Sequence, residues 1–178
     1  MKLLIVALLS FFPFILTAQS KMASYKVGDA APDFSLPYAT KDSVAEGKLT
    51  LSTLFGKRNI VLAFYPADWS GGCTKEMCSM RDNFSELSKF AEILPISGDY
   101  EYSHHEWAKA LNLPFKMLAD HDHAVARMLN SYNAEYGMNK RTVYLIDKLG
   151  KIAYIDLEYK ARDMASFRKL QDAMKKLP

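Results

Sequence analysis

The chain has 178 residues, 49% of them hydrophobic, and its 23 Lys and Arg against 20 Asp and Glu leave a formal net charge of +3. That near balance, with no basic cluster beyond Lys175-Lys176, gives no electrostatic footprint for nucleic acid. Two cysteines, Cys73 and Cys78, allow at most one internal disulfide.

Met1-Lys2 followed by an apolar stretch over 3–16 has the layout of a secretory leader. The expectation is a signal peptide over 1–20, cleaved after Ala18 or Ser20, and an exported, periplasmic or secreted domain over 21–178. The apolar run falls short of the roughly 20 residues that span a bilayer and is interrupted by Ser10 and Pro13, which argues against a retained anchor. Without 1–20 the chain loses only Lys2, leaving 22 Lys and Arg against 20 Asp and Glu. The remaining length suits one domain with a sizeable core.

Residues 25–37 carry Gly28, Pro32 and Pro37 and predict an extended, turn-rich entry. Residues 40–47 are polar and turn-like, 48–51 alternate as a short edge strand, and Ser52 to Gly56 reads as a brief helical turn. The apolar run 59–65 is a central strand, broken by Pro66-Ala67-Asp68-Trp69-Ser70-Gly71-Gly72. A helix follows from Thr74, with Cys73, Met77, Met80, Phe84, Leu87 and Ala91 as one apolar stripe. Cys78 shares a face with Asp82, Ser85 and Lys89, which places the second thiol on the wetter flank. Residues 92–97 and 115–119 predict further buried strands, and Ser103 is a candidate N-cap for a helix through Leu111. Asp120 would cap a helix over 121–131. Two alternating strands, 141–147 and 151–157, are joined by Asp147-Lys148-Leu149-Gly150, a hairpin signal. Met164, Phe167, Leu170 and Met174 mark a final amphipathic helix. The sum is an α/β sandwich with a mixed sheet covered on both faces, and no repeat or linker.

Cys73 falls where this pattern puts a helix N-terminus, a place where the helix dipole and unpaired N–H groups favour a thiolate. Thiol redox chemistry is therefore the leading reading. A structural disulfide is disfavoured, because two Cα atoms five residues apart on one helix are about 8.5 Å apart. Bridging without backbone movement ends near 7 Å.

The segment Phe64-Tyr65-Pro66-Ala67-Asp68-Trp69-Ser70-Gly71-Gly72-Cys73-Thr74-Lys75-Glu76-Met77-Cys78 resembles the active-site segment of peroxiredoxins. The likeness continues through Val27-Gly28-Asp29-Ala30-Ala31-Pro32-Asp33-Phe34, Asp120-His121-Asp122-His123-Ala124-Val125-Ala126 and Arg141-Thr142-Val143-Tyr144-Leu145-Ile146-Asp147. The second cysteine is similar to that of the bacterioferritin-comigratory, or Q-type, branch. The resemblance implies a thioredoxin-like fold and a thiol-dependent peroxidase that uses no cofactor or metal. It implies that Cys73 is the peroxidatic thiol, that Pro66 shields it, that Ser70 and Arg141 hold the peroxide, and that Cys78 resolves the sulfenic acid. The implied partners are hydrogen peroxide or organic hydroperoxides and a thioredoxin-like or other dithiol reductant, with the chain a monomer or homodimer. Ser70 stands where the family more often has Thr, keeping the hydroxyl without the methyl that stiffens χ1.

Taken alone, Arg141 reads as a surface charge and Ser70 as a turn residue. His121 and His123 with Asp120 and Asp122 have metal-ligand residue types, but alternate residues at a helix start diverge, so a solvated helix cap is preferred. His104 and His105 are read in the same way, in a helical first turn. Glu76 either orders the site by hydrogen bonding or favours the helix N-terminus. The sequon Asn83-Phe84-Ser85 falls mid-helix. Two alternatives stand beside the peroxidase: an exported thiol:disulfide oxidoreductase, and a redox-sensing module that switches through Cys73 and Cys78.

Overall fold

The computed structural model describes residues 24–161 and 163–177. The expected leader and its cleavage site lie outside the described residues. Nine strands and five helices follow in order: β1 (Ser35–Ala39), β2 (Val44–Thr50), β3 (Asn59–Phe64), α1 (Gly71–Asp82), α2 (Phe84–Phe90), β4 (Ala91–Ser97), α3 (Glu101–Leu111), β5 (Met117–Ala119), α4 (Ala124–Met128), β6 (Tyr132–Asn133), β7 (Met138–Asn139), β8 (Thr142–Ile146), β9 (Ile152–Asp156) and α5 (Met164–Lys175). A 3-10 turn, Leu51–Leu54, links β2 to β3.

Seven strands form a mixed sheet in the order β2-β1-β5-β4-β3-β8-β9. β3, β4 and β5 run parallel, and β1, β8 and β9 pair antiparallel to their neighbours. The period of two along β3 assigns its faces. Val61 and Ala63, with Tyr65 beyond, join Met77, Met80, Leu87, Trp107, Phe167, Leu170 and Met174 in one core, under α1, α2, α3 and α5. Ile60, Leu62 and Phe64 join Leu51, Leu94, Ile96, Val125 and Leu129 in the other, under α4 and the 3-10 turn. All six residues of β3 are buried, so a polar side chain in this strand would need a partner of its own.

Several elements differ from the sequence expectation. β2 begins at Val44, inside the segment read as a turn, because the chain needs only Thr40 to Ser43 to reverse; Thr40 N–H donates to the Ser43 carbonyl at 2.8 Å. The long apolar stripe is two helices, and Ala91 belongs to β4. The break falls at Asn83, whose side chain donates to the Ser79 carbonyl at 2.8 Å and competes with continuation of the helix. The sequon therefore sits at a helix junction. α3 starts at Glu101, ahead of the expected Ser103 cap. α4 is only Ala124–Met128, since His123 takes φ +55°, a left-handed conformation that delays the helix. Asp120 still performs the capping, accepting from the N–H groups of Val125 at 3.1 Å and Ala126 at 2.7 Å. Met164 is exposed, leaving Phe167, Leu170 and Met174 as the buried face of α5.

The hairpin between β8 and β9 depends on Gly150, which holds φ +77° and whose missing side chain would place a Cβ 2.8 Å from the Phe55 ring. Gly150→Ala should lower the unfolding free energy by about 1–3 kcal/mol, read as a shift of the denaturant midpoint at unchanged slope. An unshifted midpoint would show that Phe55 and the turn relax without cost.

Candidate active site

The chain leaves the sheet at the carboxyl end of β3, the edge where parallel sheets gather their ligand sites. Pro66 ends the ladder, Trp69 turns back with φ +60°, and Ser70 enters α1 as its N-cap with φ −72° and ψ 140°. The Ser70 hydroxyl oxygen accepts from the Cys73 N–H at 3.3 Å. The helix thus begins at Gly71, three residues earlier than Thr74, and Cys73 occupies its first turn. The aim of the dipole is as expected.

Cys73 is fully buried and Cys78 is half-buried, in line with the inner and wetter faces read from the helical period. Both thiols are free, and both lie on continuous helix.

Arg141 reaches the site from the start of β8. Thr142 pairs with Phe64, so the residue before it lies beside the end of β3. Its carbonyl accepts from the Tyr159 N–H at 3.1 Å, which fixes the backbone. Its Nη2 donates to the Cys73 sulfur at 3.1 Å, and its Nη1 donates to Glu76 Oε2. Gly72 makes the approach possible, for a Cβ there would lie 2.8 Å from Nη2. The structure therefore unites Cys73, Ser70 and Arg141, with Pro66 on the same loop and Cys78 five residues farther along α1.

Glu76 was ambiguous in the sequence and is the deepest charge of the site. It is 1% exposed, and its Oε1 has no hydrogen-bond partner. Burial pushes its carboxyl up to about 7, only partly offset by Arg141. Burial also works against the Arg141 charge, but Glu76 and the Cys73 sulfur outweigh it and hold the guanidinium above its ordinary range. Tyr159 is held well above the usual tyrosine range by burial and by the Glu76 charge. Sequence reasoning missed Gly72 and Tyr159; the doubled glycine before Cys73 was the available signal for the first.

The histidines and aspartates beyond this site have other partners. His121 stacks on Tyr100 with ring centroids 3.8 Å apart, and His123 Nδ1 donates to Asn139 Oδ1 at 2.8 Å. His104 overturns its expected solvated position: it is 0% exposed and bonded to Asp68. Its spacing from Trp107, Ala108 and Leu111 is that of a buried helical face, a signal present in the sequence.

A buried thiol on a helix N-terminus, facing a guanidinium at the edge of a thioredoxin-like sheet, defines a thiol-redox protein. The AhpC/TSA family profile matches residues 27–155. A Coxiella burnetii protein named peroxiredoxin bcp is 39% identical over 140 residues, covering 74% of this chain and 88% of the relative. The chloroplastic peroxiredoxin Q of Oryza sativa subsp. japonica is 36% identical over 143 residues, covering 78% of this chain and 63% of its own length. Among solved structures, peroxidoxin BcpB from Mycobacterium tuberculosis matches with TM-score 0.71 and 26% identity over 84% of this chain and 96% of that one. AhpC of Enterococcus faecalis, at 22% identity and TM-score 0.74, shows the fold, over 84% of this chain and 92% of that one. The chain belongs to the AhpC/TSA family, the peroxiredoxins. It is an enzyme of the thiol peroxidase class.

Because the Glu76 carboxyl is raised from 4.5 to about 7, the folded state binds its proton more tightly than the unfolded chain does. Its contribution is thus fully present below about pH 4.5 and lost as pH rises to about 7. Across that window wild type should lose on the order of 3 kcal/mol relative to Glu76→Gln, measured by urea unfolding at stepped pH. Parallel pH curves for the two proteins would refute the buried, half-partnered carboxylate.

Proposed function

We propose that the protein reduces hydrogen peroxide and organic hydroperoxides through Cys73, with Cys78 as the resolving thiol. The observation that carries this reading is the Arg141 Nη2 contact to the Cys73 sulfur at 3.1 Å, inside a site with a second thiol on the same helix.

The Cys73 thiolate attacks one oxygen of the peroxide. A sulfur–oxygen bond forms, the O–O bond breaks, and the departing oxygen takes a proton to leave as water or an alcohol. Charge grows on that departing oxygen, so donors placed beforehand lower the barrier. Arg141 supplies fixed guanidinium N–H groups, held by Glu76, and Ser70 keeps its hydroxyl hydrogen free to donate because its oxygen is the capping acceptor. To Pro66, which follows β3 at the head of the same loop, we assign the shielding of the thiol.

Cys73 is then a sulfenic acid. The Cys78 thiol attacks its sulfur, a disulfide forms, and water leaves. Since a helical pair five residues apart stands about 8.5 Å from Cα to Cα, the first turn of α1 must open for this step. A thioredoxin-like or other dithiol protein returns both sulfurs to thiols by exchange. The thiol:disulfide oxidoreductase alternative has no support at position 70, where a hydroxyl caps the helix in place of a second thiol. We also read the chain as exported, on the strength of the leader-like residues 1–20.

Cys78→Ser should react once with peroxide and stall as a sulfenic acid at Cys73, trapped by dimedone, while Cys73→Ser should consume none. Full turnover of Cys78→Ser with a thioredoxin system would remove Cys78 from the resolving role.

Export is checked by N-terminal sequencing of protein recovered from the periplasm or medium, which should begin between Gln19 and Lys21. An intact Met1 on cytoplasmic protein would reject it.

A further inference from the structure

Beneath the thiol site lies a second buried polar cluster that the redox chemistry leaves unused. Asp68 and His104 are 6% and 0% exposed. Asp68 Oδ1 accepts from the Tyr65 hydroxyl at 2.7 Å, and Oδ2 accepts from the Ser103 hydroxyl at 2.8 Å. His104 Nδ1 lies 2.9 Å from Oδ2, and its Nε2 lies 3.1 Å from the Leu118 carbonyl. The imidazole is thus wedged between the Asp68 carboxyl and the Leu118 carbonyl. The Tyr65 hydroxyl also lies 3.3 Å from Nδ1, so the ring is held by polar contacts on both of its nitrogens.

The position of Asp68 ties the loop to the rest of the site. The Asp68 N–H donates to Asp99 Oδ2 at 2.8 Å, and Asp99 in turn accepts from the Ser97 hydroxyl at 2.8 Å. The Asp68 carbonyl accepts from the Ser70 N–H at 2.7 Å. Ser70 then caps Cys73 and accepts at its carbonyl from Thr74 N–H at 2.9 Å. The loop bearing Pro66 and Ser70 is thus tied through one residue to the ends of β3 and β4, to α3, and through His104 to β5. Arg141 is held separately, by Glu76 and Tyr159.

We propose that His104 is a positioning residue for peroxide reduction: clamped between Asp68 and the Leu118 carbonyl, it keeps the 66–70 loop aligned with the Cys73 sulfur. The inference rests on the reading of Cys73 as the peroxide-attacking thiol. His104 touches neither substrate nor sulfur. It acts on the half of the site that meets peroxide and leaves the half that Arg141 holds against the thiol. The two halves are separable, because alkylation of Cys73 needs only the anionic sulfur, whereas peroxide cleavage also needs Ser70 and the loop in place.

The test compares two reactions of reduced protein in a Cys78→Ser background. One is stopped-flow oxidation of Cys73 by hydrogen peroxide, the other alkylation by iodoacetamide, both from about pH 6 to 9. His104→Gln should lower the peroxide rate constant at least about tenfold and leave the alkylation rate and its pH profile unchanged. Equal losses in both reactions, or no loss in either, would overturn the proposal. A second variant strikes the same clamp from its other side: Asp68→Asn, which leaves His104 in place but removes the carboxylate that Tyr65, Ser103 and His104 share, should show the same selective loss of the peroxide rate. A peroxide rate unchanged in Asp68→Asn would overturn the proposal. Peroxide consumption surviving Cys73→Ser would instead defeat the underlying reading.

Discussion

Everything at the site depends on one half-buried guanidinium held between a carboxylate and a sulfur. Arg141 meets Cys73 with one nitrogen and Glu76 with the other, and the two anchors come from successive turns of the same helix. A single helix start therefore sets the distance between the two acceptors, and a single strand start sets the cation between them. Burial makes the arrangement expensive, as the elevated Glu76 carboxyl shows. It also makes it effective, since a charge contact in a dry site is screened far less than one in water. The same logic explains Gly72: any side chain there would stand where Nη2 must pass.

Where period and punctuation agree, the sequence and the structure agree. β3, β4, β8, β9 and the buried and half-buried faces of α1 were legible, because runs of apolar residues bounded by Pro and Gly leave little choice of element. Cys73 stood out as a candidate thiol from its place at a helix start, whereas Ser70, Pro66 and Arg141 entered the site only through the resemblance; composition alone makes the serine a turn residue and the arginine a surface charge. The errors have local causes. Asn83 interrupts an apolar stripe without disturbing its period, so a break that depends on a side-chain hydrogen bond is invisible to periodicity. His123 shortens α4 by a backbone conformation that its neighbours do not announce.

His104 is the more instructive error. Polarity suggested a solvated first turn, whereas spacing with Trp107 and Ala108 placed it on the inner face. Spacing was the better guide, because a buried polar residue is stable when its acceptors are already in place, and Asp68 and the Leu118 carbonyl both are. Those acceptors come from a loop and a strand far apart in sequence, so no local pattern could have named them.

The junction at Asn83 has a mechanical meaning. α1 is 12 residues long and stops at a side-chain cap, and α2 is seated separately through Leu87. In the proposed resolving step, opening of the first turn of α1 would have a natural end point, because fraying along the helix meets Met77 and Met80 packed in the core and then the helix junction at Asn83. In the proposed cycle the helix would work as a short spring clipped at its far end, its first turn opening as a local unit while the sheet behind it keeps its register and the two sulfurs meet.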